Sequence, residues 1–354
     1  MKKSMRKLLA VLLTLVMTCS MLAGCGGSKA AEDAGTLNLF IWTEYVPESV
    51  IQAFQEETGI KVNVSYYSSN EDMYAKLSSE AEGTYDIIQP SDYMVEKLIG
   101  QDMLQELDQS KLTNLSNIYE AYLDPEYDPG TVHSAPYMGG VAAIAVNTAD
   151  VTTPIASYAD LFDPSLAGKE VLLDDSRAII GMTAKSLGYS MSTTDAAELT
   201  EVKDKLLTLK DNVKVYDSDS PKSVLISGDC SVGMIWNAEI ALAMEENPDI
   251  QIVFPEEGAY LFLDNWCIPK GAKNTDAAMQ FINYMLSAEA SAACSNELPY
   301  LNPNKAACEL LGDAYLSNEA KNVPEDVIGK GEWIHNLDTD TQAVYEEMWT
   351  ELKK

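Results

Sequence analysis

Two carboxylates stand beside aromatic residues, where they could bind an organic cation. Glu44 lies between Trp42 and Tyr45, and Asp264 follows Phe262 closely. A protonated amine that loses its water in a closed site needs opposite charge and hydrogen bonds in return. Indole and phenol rings attract cations by about 0.5 to 2 kcal/mol each, and they also cover the methylene groups between amines. The composition of these two segments therefore predicts a site for an amine.

Other kinds of chemistry have little support in the sequence. His133 and His335 are isolated and far apart, which argues against a metal site or a catalytic histidine. The segment 227–229 (SGD) lacks the pattern of a nucleophile elbow. Gly139 and Gly140 are better read as a hinge or a close-packing point than as a phosphate loop. No catalytic residue, metal or cofactor is predicted.

The chain alternates between patterns typical of strands and of helices. Apolar residues alternate at 37–41, a helical pattern follows Pro47 and ends at Gly59, and alternation resumes at 60–64. This is a βαβ unit with an expected right-handed crossover. Further helices are predicted at 72–82, 94–99, 203–209 and 239–246, in a segment that ends at Gly188, and over most of the chain from residue 276. Further strands are predicted at 85–89, 142–146, 171–173, 213–216, 232–236 and 250–254.

The distinctive residues fall at the ends of these predicted strands. These residues are Trp42 to Tyr45, Ser91 to Tyr93, Asp175, Trp236 and Asp264. Ligands of open α/β sheets bind outside the carboxyl ends of the strands. Two α/β units that face each other would enclose a cleft between them, so the expected fold class is α/β with two lobes.

The length and the net charge of the chain limit its domain number and its possible ligands. The chain has 354 residues, of which 46% are hydrophobic, and a length of this kind favours two domains. Its net charge is -31, and such a surface repels phosphate backbones. Nucleic-acid binding is excluded.

The N-terminus has the features of an export signal. A basic start is followed by an apolar stretch and small residues, so residues 1–24 are predicted to be removed. The segment 22–25 (LAGC) resembles a lipobox, which would leave Cys25 lipid-modified, and an ordinary secretory signal is the alternative. Residues 25–35 would then form a lipidated tether that holds the protein at the outer side of the membrane.

Four cysteines would remain besides Cys25, and their spacing matches no zinc or redox motif. Export permits disulfides, and Cys294 with Cys308 is the first pair to consider. Buried free thiols are the alternative.

The ordered series of motifs resembles bacterial spermidine/putrescine-binding proteins of ABC transporters. The resemblance covers nearly all of residues 37–354, which makes it far more specific than any single motif. It rests on WTEYVP at 42–47, ETGIKV at 57–62, NEDMYAKL at 70–77, YD at 85–86, PS at 90–91, KLTN at 111–114, GMIWN at 233–237 and GEW at 331–333.

The resemblance implies a two-lobed periplasmic-binding-protein-like fold of type II, with a hinge and a cleft between the lobes. It implies a polyamine ligand, a membrane permease with its ATPase as partners, no cofactor and a monomer. Glu44, Asp175 and Asp264 would hold ammonium groups. Aromatic walls and polar contacts would come from Trp42, Thr43, Tyr45, Ser91, Tyr93, Trp236, Phe262 and Tyr300.

Three positions depart from the pattern of the spermidine-binding members. Ala178 stands where an acid is expected, Phe262 where a Trp is expected, and Ile334 where a Gln is expected. These changes remove a charge and a hydrogen-bonding group, so they leave the choice between spermidine and putrescine open. Asp174 or Asp92 could compensate for the missing charge.

The expected lobes are 36–140 with 265–305, and 141–264 with 306–354, and the chain would cross near Gly140 and Asp264. Binding would then proceed by hinge closure. Three alternatives remain at this point. They are a binding protein for another cationic solute, a glycosidase with a carboxylate pair, and an adhesin or structural lipoprotein.

Overall fold

The computed structural model describes residues 35–354. The export signal, Cys25 and most of the tether therefore lie outside the described residues. Within residues 35–354, no helix is long and apolar enough to cross a membrane.

Ten strands form one mixed sheet. Eight of them follow the order β2-β1-β3-β9-β4-β7-β5-β6, while β10 pairs with β9 and β8 pairs with β4. The strands are β1 (Thr36–Trp42), β2 (Lys61–Tyr67), β3 (Ile87–Ile88), β4 (Ser134–Asn147), β5 (Glu170–Leu172), β6 (Val213–Tyr216), β7 (Val232–Trp236), β8 (Ile250–Val253), β9 (Tyr260–Cys267) and β10 (Glu332–Trp333).

Thirteen α-helices in residues 35–354 connect and cover these strands. They are α1 (Glu48–Thr58), α2 (Asn70–Ser79), α3 (Asp92–Gly100), α4 (Ser176–Lys185), α5 (Ala196–Leu206), α6 (Lys222–Ile226), α7 (Asn237–Glu246), α8 (Thr275–Met285), α9 (Ala288–Glu297), α10 (Lys305–Leu311), α11 (Asp313–Leu316), α12 (Glu325–Lys330) and α13 (Thr339–Leu352). Short 3-10 helices lie at Gln109–Lys111, Thr113–Asn117, Glu120–Tyr122, Tyr158–Phe162, Pro164–Leu166 and Leu207–Asp211.

The sheet has two parallel groups joined by antiparallel strands. β2, β1 and β3 run parallel to one another, and β7, β5 and β6 form a second parallel group. The long strands β4 and β9 lie between the groups and pair antiparallel with each other and with their outer neighbours. This arrangement is the two-lobed α/β fold expected from the sequence.

The first βαβ unit shows how the sequence produces these elements. Val50, Ile51 and Phe54 lie on the buried face of α1, as their spacing predicts. The helix ends at Gly59, whose φ of 74° is left-handed and whose N–H donates to the carbonyl of Gln55 at 2.9 Å.

Two element predictions need correction, and one strand was not predicted. β4 begins at Ser134 rather than at residue 142, so Gly139 and Gly140 lie inside a fully buried strand. A Cβ atom on Gly140 would lie 2.1 Å from Oδ1 of Asn237, so this glycine is required for close packing. β9 was not predicted because its segment YLFLDNWC is buried throughout and shows no apolar-polar alternation. The helix expected at 72–82 is α2, which begins at Asn70 and ends at Ser79, before Gly83.

Candidate ligand cleft

The carboxyl ends of both parallel groups point into one cavity. The segments that follow β1, β2 and β3 line one side, and those that follow β5, β6 and β7 line the other, as expected for ligand sites of parallel sheets. β9 contributes Tyr260, Phe262 and Asp264, which share one face because strand residues alternate. The lining residues are Trp42, Thr43, Glu44, Tyr45, Ser68, Asn70, Ser91, Asp175, Ser218, Asp219, Trp236, Glu239, Tyr260, Phe262, Asp264 and Tyr300.

Asp264 is the most deeply buried of the three predicted carboxylates. Its side chain is 4% exposed, and its Oδ1 accepts a hydrogen bond of 2.5 Å from the hydroxyl of Ser91. Burial raises the pKa of Asp264 to about 7, although hydrogen bonding by Ser91 and Tyr45 opposes the rise. The Tyr45 hydroxyl is near the carboxylate, yet it has no hydrogen bond of good geometry within residues 35–354. The Asp264 carboxylate and the Tyr45 hydroxyl can therefore each form a further hydrogen bond with a ligand.

Aromatic rings surround this carboxylate. The ring of Tyr45 meets that of Tyr300 edge-on, with centroids 5.1 Å apart, and Phe262 meets Tyr300 at 6.0 Å. Trp236 packs against Phe262 at 4.9 Å. The indole N–H of Trp42 donates to the carbonyl of Gln89 at 2.9 Å, which fixes its ring. The walls are thus rigid apolar surfaces suited to methylene groups and to cations.

Asp175 provides a second carboxylate on the other side of the cavity. It is the N-cap of α4, and its Oδ1 accepts from the N–H of Ala178 at 3.0 Å. Although part of its surface stays exposed, burial and then the nearby Glu71 carboxylate raise the pKa of Asp175 to about 6. The cavity thus contains two acids, Asp264 on β9 and Asp175 after β5, whose charged forms are disfavoured by burial.

Glu44 lies at the rim of the cavity and is exposed. Its φ of 50° is left-handed, which is uncommon for a residue other than Gly. Across the mouth, the Ser68 hydroxyl donates to Oδ2 of Asp219 at 3.3 Å and so joins the segments after β2 and β6. Acidic side chains therefore stand at the entrance as well as inside.

Glu239 differs from the other acids in the cavity because a lysine already neutralises it. Both carboxylate oxygens accept from Nζ of Lys222 at 2.9 Å. Burial raises the pKa of Glu239, and Lys222 opposes that rise. This pair leaves Asp264 and Asp175 as the deep carboxylates available to a ligand.

Comparisons with known proteins agree with this geometry. A model of the family described as bacterial extracellular solute-binding protein matches residues 49–323. The chain belongs to this family. The spermidine/putrescine-binding periplasmic protein of Salmonella typhimurium is 38% identical over 325 residues, covering 91% of this chain and 93% of that protein. The putrescine/cadaverine-binding protein of Pseudomonas aeruginosa is 29% identical, covering 96% and 98%.

A solved structure supports the same family at the level of the fold. A spermidine/putrescine ABC transporter protein from Listeria monocytogenes superposes with a TM-score of 0.87 at 35% identity, covering 90% of this chain and 98% of that one. Proteins of this kind are binding components of transporters rather than enzymes. The resemblance drawn from the sequence motifs, and the fold that it implied, are confirmed.

Ten of the eleven predicted ligand contacts of this solute-binding protein line the cavity. Tyr93 is the exception. Its ring is buried below the guanidinium of Arg177 at 4.8 Å, and its hydroxyl donates to Glu71 at 3.0 Å. Tyr93 therefore packs beside the cavity, against Arg177 and Glu71, and does not line it.

The three departures from the family pattern fall in different places. Phe262 lines the cleft, the backbone N–H of Ala178 donates to the N-cap Asp175, and Ile334 lines a separate cavity. Neither proposed substitute for the missing charge reaches the cleft. Asp174 forms an ion pair of 2.5 Å with Lys353, and Asp92 lines the separate cavity.

Sequence reasoning missed six lining residues. Five of them follow strand ends and could have been found by the same rule that found Glu44. Tyr260 could not, because β9 was not recognised. The missed residues are Ser68, Asn70, Ser218, Asp219, Glu239 and Tyr260.

None of the cysteines and histidines in residues 35–354 lines this cavity. Cys294 and Cys308 are free and buried, as are Cys230 and Cys267, so the alternative of buried free thiols holds rather than the Cys294–Cys308 disulfide. Within residues 35–354, no cluster of acidic, histidine or cysteine side chains could hold a metal ion.

Proposed function

We propose that this protein captures a polyamine, spermidine or putrescine, in the cleft and delivers it to the permease of an ABC importer. The observation that carries the proposal is the pair of desolvated carboxylates, Asp264 and Asp175, on opposite sides of an aromatic cavity. Ammonium groups would pair with these acids, and the connecting methylene groups would lie against Trp42, Trp236 and Tyr300. The names of the relatives support the same class of ligand.

The proposed contacts are the lining residues predicted from the sequence, with Tyr93 in an indirect role. Glu44 and Asp219 would attract the cation at the mouth, because exposed acids act mainly on association. No covalent step is proposed, since the cavity offers charges and apolar walls but no activated nucleophile. The protein would act as a monomer without a cofactor.

We infer that the lobes move about β4 and β9, which are the strands that join the two parallel groups. A ligand that touches Asp264, Tyr45 and Asp175 at once would hold the lobes together and exclude water. Of the lobe boundaries proposed from the sequence, 140/141 falls within β4 and 264/265 within β9, whereas 305/306 falls at the start of α10. A lipid on Cys25 would keep the protein beside its permease.

Thermal unfolding with added solutes tests the proposed function. Spermidine and putrescine should raise the Tm, because a ligand that binds only the folded state stabilises it by about 2.7 kcal/mol at 100 times its Kd. Neutral sugars and zwitterionic amino acids are the matched controls. The proposal fails if neither polyamine shifts the Tm, or if a neutral sugar shifts it as far.

A further inference from the structure

A second cavity lies on the opposite face of β9 from the ligand cleft. Phe262 and Asp264 face the cleft, whereas Leu263 between them lines this other cavity, as strand alternation requires. Its volume is about 480 Å³, which is within the range of small-molecule sites. The two cavities have no lining residue in common.

The walls of the second cavity combine acids with aromatic rings. α3 supplies two acids, the segment 121–127 supplies two tyrosines, and the segment 331–335 supplies Trp333 and Ile334. Neither a lysine nor an arginine is among these lining residues. They are Asp92, Glu96, Ala121, Tyr122, Pro125, Glu126, Tyr127, Leu263, Gly331, Glu332, Trp333, Ile334 and His335.

Asp92 is the residue that indicates a ligand. Its side chain is only 2% exposed, and its Oδ1 accepts from the N–H of Tyr93 at 2.7 Å. Its Oδ2 is buried without a hydrogen-bond partner in residues 35–354. A buried carboxylate oxygen without a partner is unfavourable, so a donor from outside the chain would stabilise it.

The other acids that line the second cavity either have hydrogen-bond partners already or are exposed. Glu332 accepts from Lys185 at 2.7 Å and from Ser190 at 2.6 Å, so it has little capacity for a ligand. Glu96 uses one oxygen for the N–H of Asn336 at 3.0 Å, and Glu126 is exposed at the rim.

Burial raises the pKa of Asp92 well above its usual range and the Asp264 carboxylate adds to the rise, whereas the N–H groups of Tyr93 and Leu263 and the charge of Arg177 oppose it. A cation beside Asp92 would favour its ionised form, and Arg177 itself does not line the cavity. Its Nη2 donates to the carbonyl of His335 at 2.8 Å, and its guanidinium lies over Tyr93. Arg177 therefore balances part of the negative charge of the region without filling the site.

We propose that the second cavity binds a small primary ammonium compound with an apolar or aromatic body. The ammonium group donates to Oδ2 of Asp92, and the body lies against the rings of Tyr122, Tyr127 and Trp333. A neutral compound of the same shape would leave the carboxylate without its countercharge and would bind less tightly. This site is independent of the proposed polyamine cleft.

Indole resonances of the five tryptophans can test the proposal. The full-length protein, labelled with ¹⁵N and assigned by single Trp→Phe substitutions, is titrated with 2-phenylethylamine as the probe. The Trp333 signal should shift saturably, while 2-phenylethanol, the neutral analogue, should require at least about tenfold higher concentration. Signals of Trp42 and Trp236 report on the cleft in the same spectra.

Three variants locate the binding site. Asp92→Asn should weaken the Trp333 titration by about tenfold or more, which corresponds to 1.4 kcal/mol. Glu44→Gln, which changes the cleft at its exposed rim, and Asp102→Asn, an exposed acid paired with Lys270 outside this cavity, should leave the titration unchanged. If the polyamine proposal fails, this result can still hold, because Asp92 and Trp333 do not line the cleft.

The proposal is overturned if Trp333 does not respond, if its shift never saturates, or if Asp92→Asn and wild type titrate alike. Should Asp92→Asn lose the dispersed indole spectrum of a folded protein, the double variant Glu96→Gln with Glu126→Gln decides instead. It should weaken binding at least threefold, because it removes two of the negative charges that line the cavity. An unchanged titration in that variant also overturns the proposal.

Discussion

The hydroxyl of Ser91 holds the carboxylate of Asp264 at 2.5 Å, and the backbones of the two residues form an isolated antiparallel bridge. Asn70 extends this contact, since its Nδ2 donates to Ser91 Oγ at 3.0 Å and its Oδ1 accepts from Ser91 N at 3.3 Å. Segments after β2 and β3 thereby fix the orientation of an acid on β9. The central carboxylate is positioned before a ligand arrives.

Replacing Ser91 tests this positioning. Ser91→Ala should weaken polyamine binding by about 10- to 100-fold, because a hydrogen bond to a charged group contributes about 1.5 to 3 kcal/mol. It should also raise the pKa of Asp264, since the Ser91 contact lowers it. Calorimetry measures the affinity, and Ser79→Ala, at an exposed hydroxyl on α2, is the control. Equal affinity in Ser91→Ala and wild type would contradict the role assigned to the contact.

The buried and the exposed acids should differ in their effect on binding. Asp264→Asn should cost about 2 to 5 kcal/mol of polyamine affinity, because it leaves an ammonium group in a desolvated site without its countercharge. Glu44→Gln should have a much smaller effect on dissociation and act mainly on the association rate at low salt, because Glu44 is exposed at the rim. Surface plasmon resonance with immobilised protein separates the two rates. Unchanged affinity in both variants, each with a wild-type circular dichroism spectrum, would refute the polyamine site.

Polyamine affinity should rise with pH between about 5.5 and 8. Burial raises the pKa of Asp264 to about 7 and, with Glu71, that of Asp175 to about 6, so both acids gain charge over this interval. The amines stay protonated there, as alkyl ammonium groups titrate near pH 10. Each acid can contribute up to tenfold per pH unit below its pKa. Calorimetric titrations across this range measure the effect, and Asp264→Asn should lose the step near pH 7.

The raised pKa of Asp264 has the opposite effect on the stability of the ligand-free protein, which should fall as the pH rises. Between its usual pKa near 3.8 and about 7, Asp264 binds more protons in the folded state than in the unfolded state. Its contribution to the free energy of unfolding therefore falls as pH rises through that window. The difference in Tm between wild type and Asp264→Asn should change in this direction from pH 4 to 7.5. A difference that is constant with pH would rule out the raised pKa.

The part of the site that follows strand ends was predictable from the sequence. Apolar alternation located β1 and β2, short apolar segments located β3 and β5, and the rule that ligands bind at the carboxyl ends of parallel strands then singled out Glu44, Ser91 and Asp175. These predictions depend on local pattern and on one general property of sheets. Asp264 was found instead from its place beside Phe262, because its strand has no recognisable alternation, and the family resemblance added Tyr300.

Long-range pairing was not predictable from a single sequence. Glu239 has the composition of a ligand acid, but the ion pair with Lys222 neutralises it, and only the packing of α6 against α7 brings these residues together. Asp92 looked like a substitute for the acid missing at Ala178, yet it faces the second cavity. Which face of an element a polar residue meets depends on tertiary contacts rather than on spacing.

Cys25 should determine where the protein is found in the cell. If the lipobox is used, Cys25→Ala should move the protein from the membrane fraction to the soluble extracytoplasmic fraction, because two acyl chains supply the stable anchoring. Fractionation followed by immunoblotting measures this, with Cys294→Ala as the control at a buried free thiol. A soluble wild-type protein would favour the ordinary secretory signal instead.

Gly140 should be intolerant of even the smallest side chain. Gly140→Ala places a Cβ atom against Oδ1 of Asn237, which accepts from the N–H of Val141 at 3.0 Å. Neither strand nor helix can move away easily, because Nδ2 of Asn237 also donates to the carbonyl of Ala320 at 2.8 Å. Overpacking of this kind typically costs 1 to 3 kcal/mol. The Tm should fall by about 2 to 4 °C for each kcal/mol lost.

Gly100 provides the matched control for this substitution, because a Cβ atom there meets no other group within 4 Å. Gly100→Ala should raise the Tm by about 1 to 4 °C, because alanine restricts the unfolded chain by about 0.4 to 1 kcal/mol. A fall in Tm for Gly140→Ala beside this rise isolates the close contact in β4 from the general effect of removing a glycine. Equal Tm values would mean that β4 and α7 can separate at Gly140. In that case, the strand that joins the two parallel groups would be looser than its packing indicates, and movement between the lobes would require no other hinge.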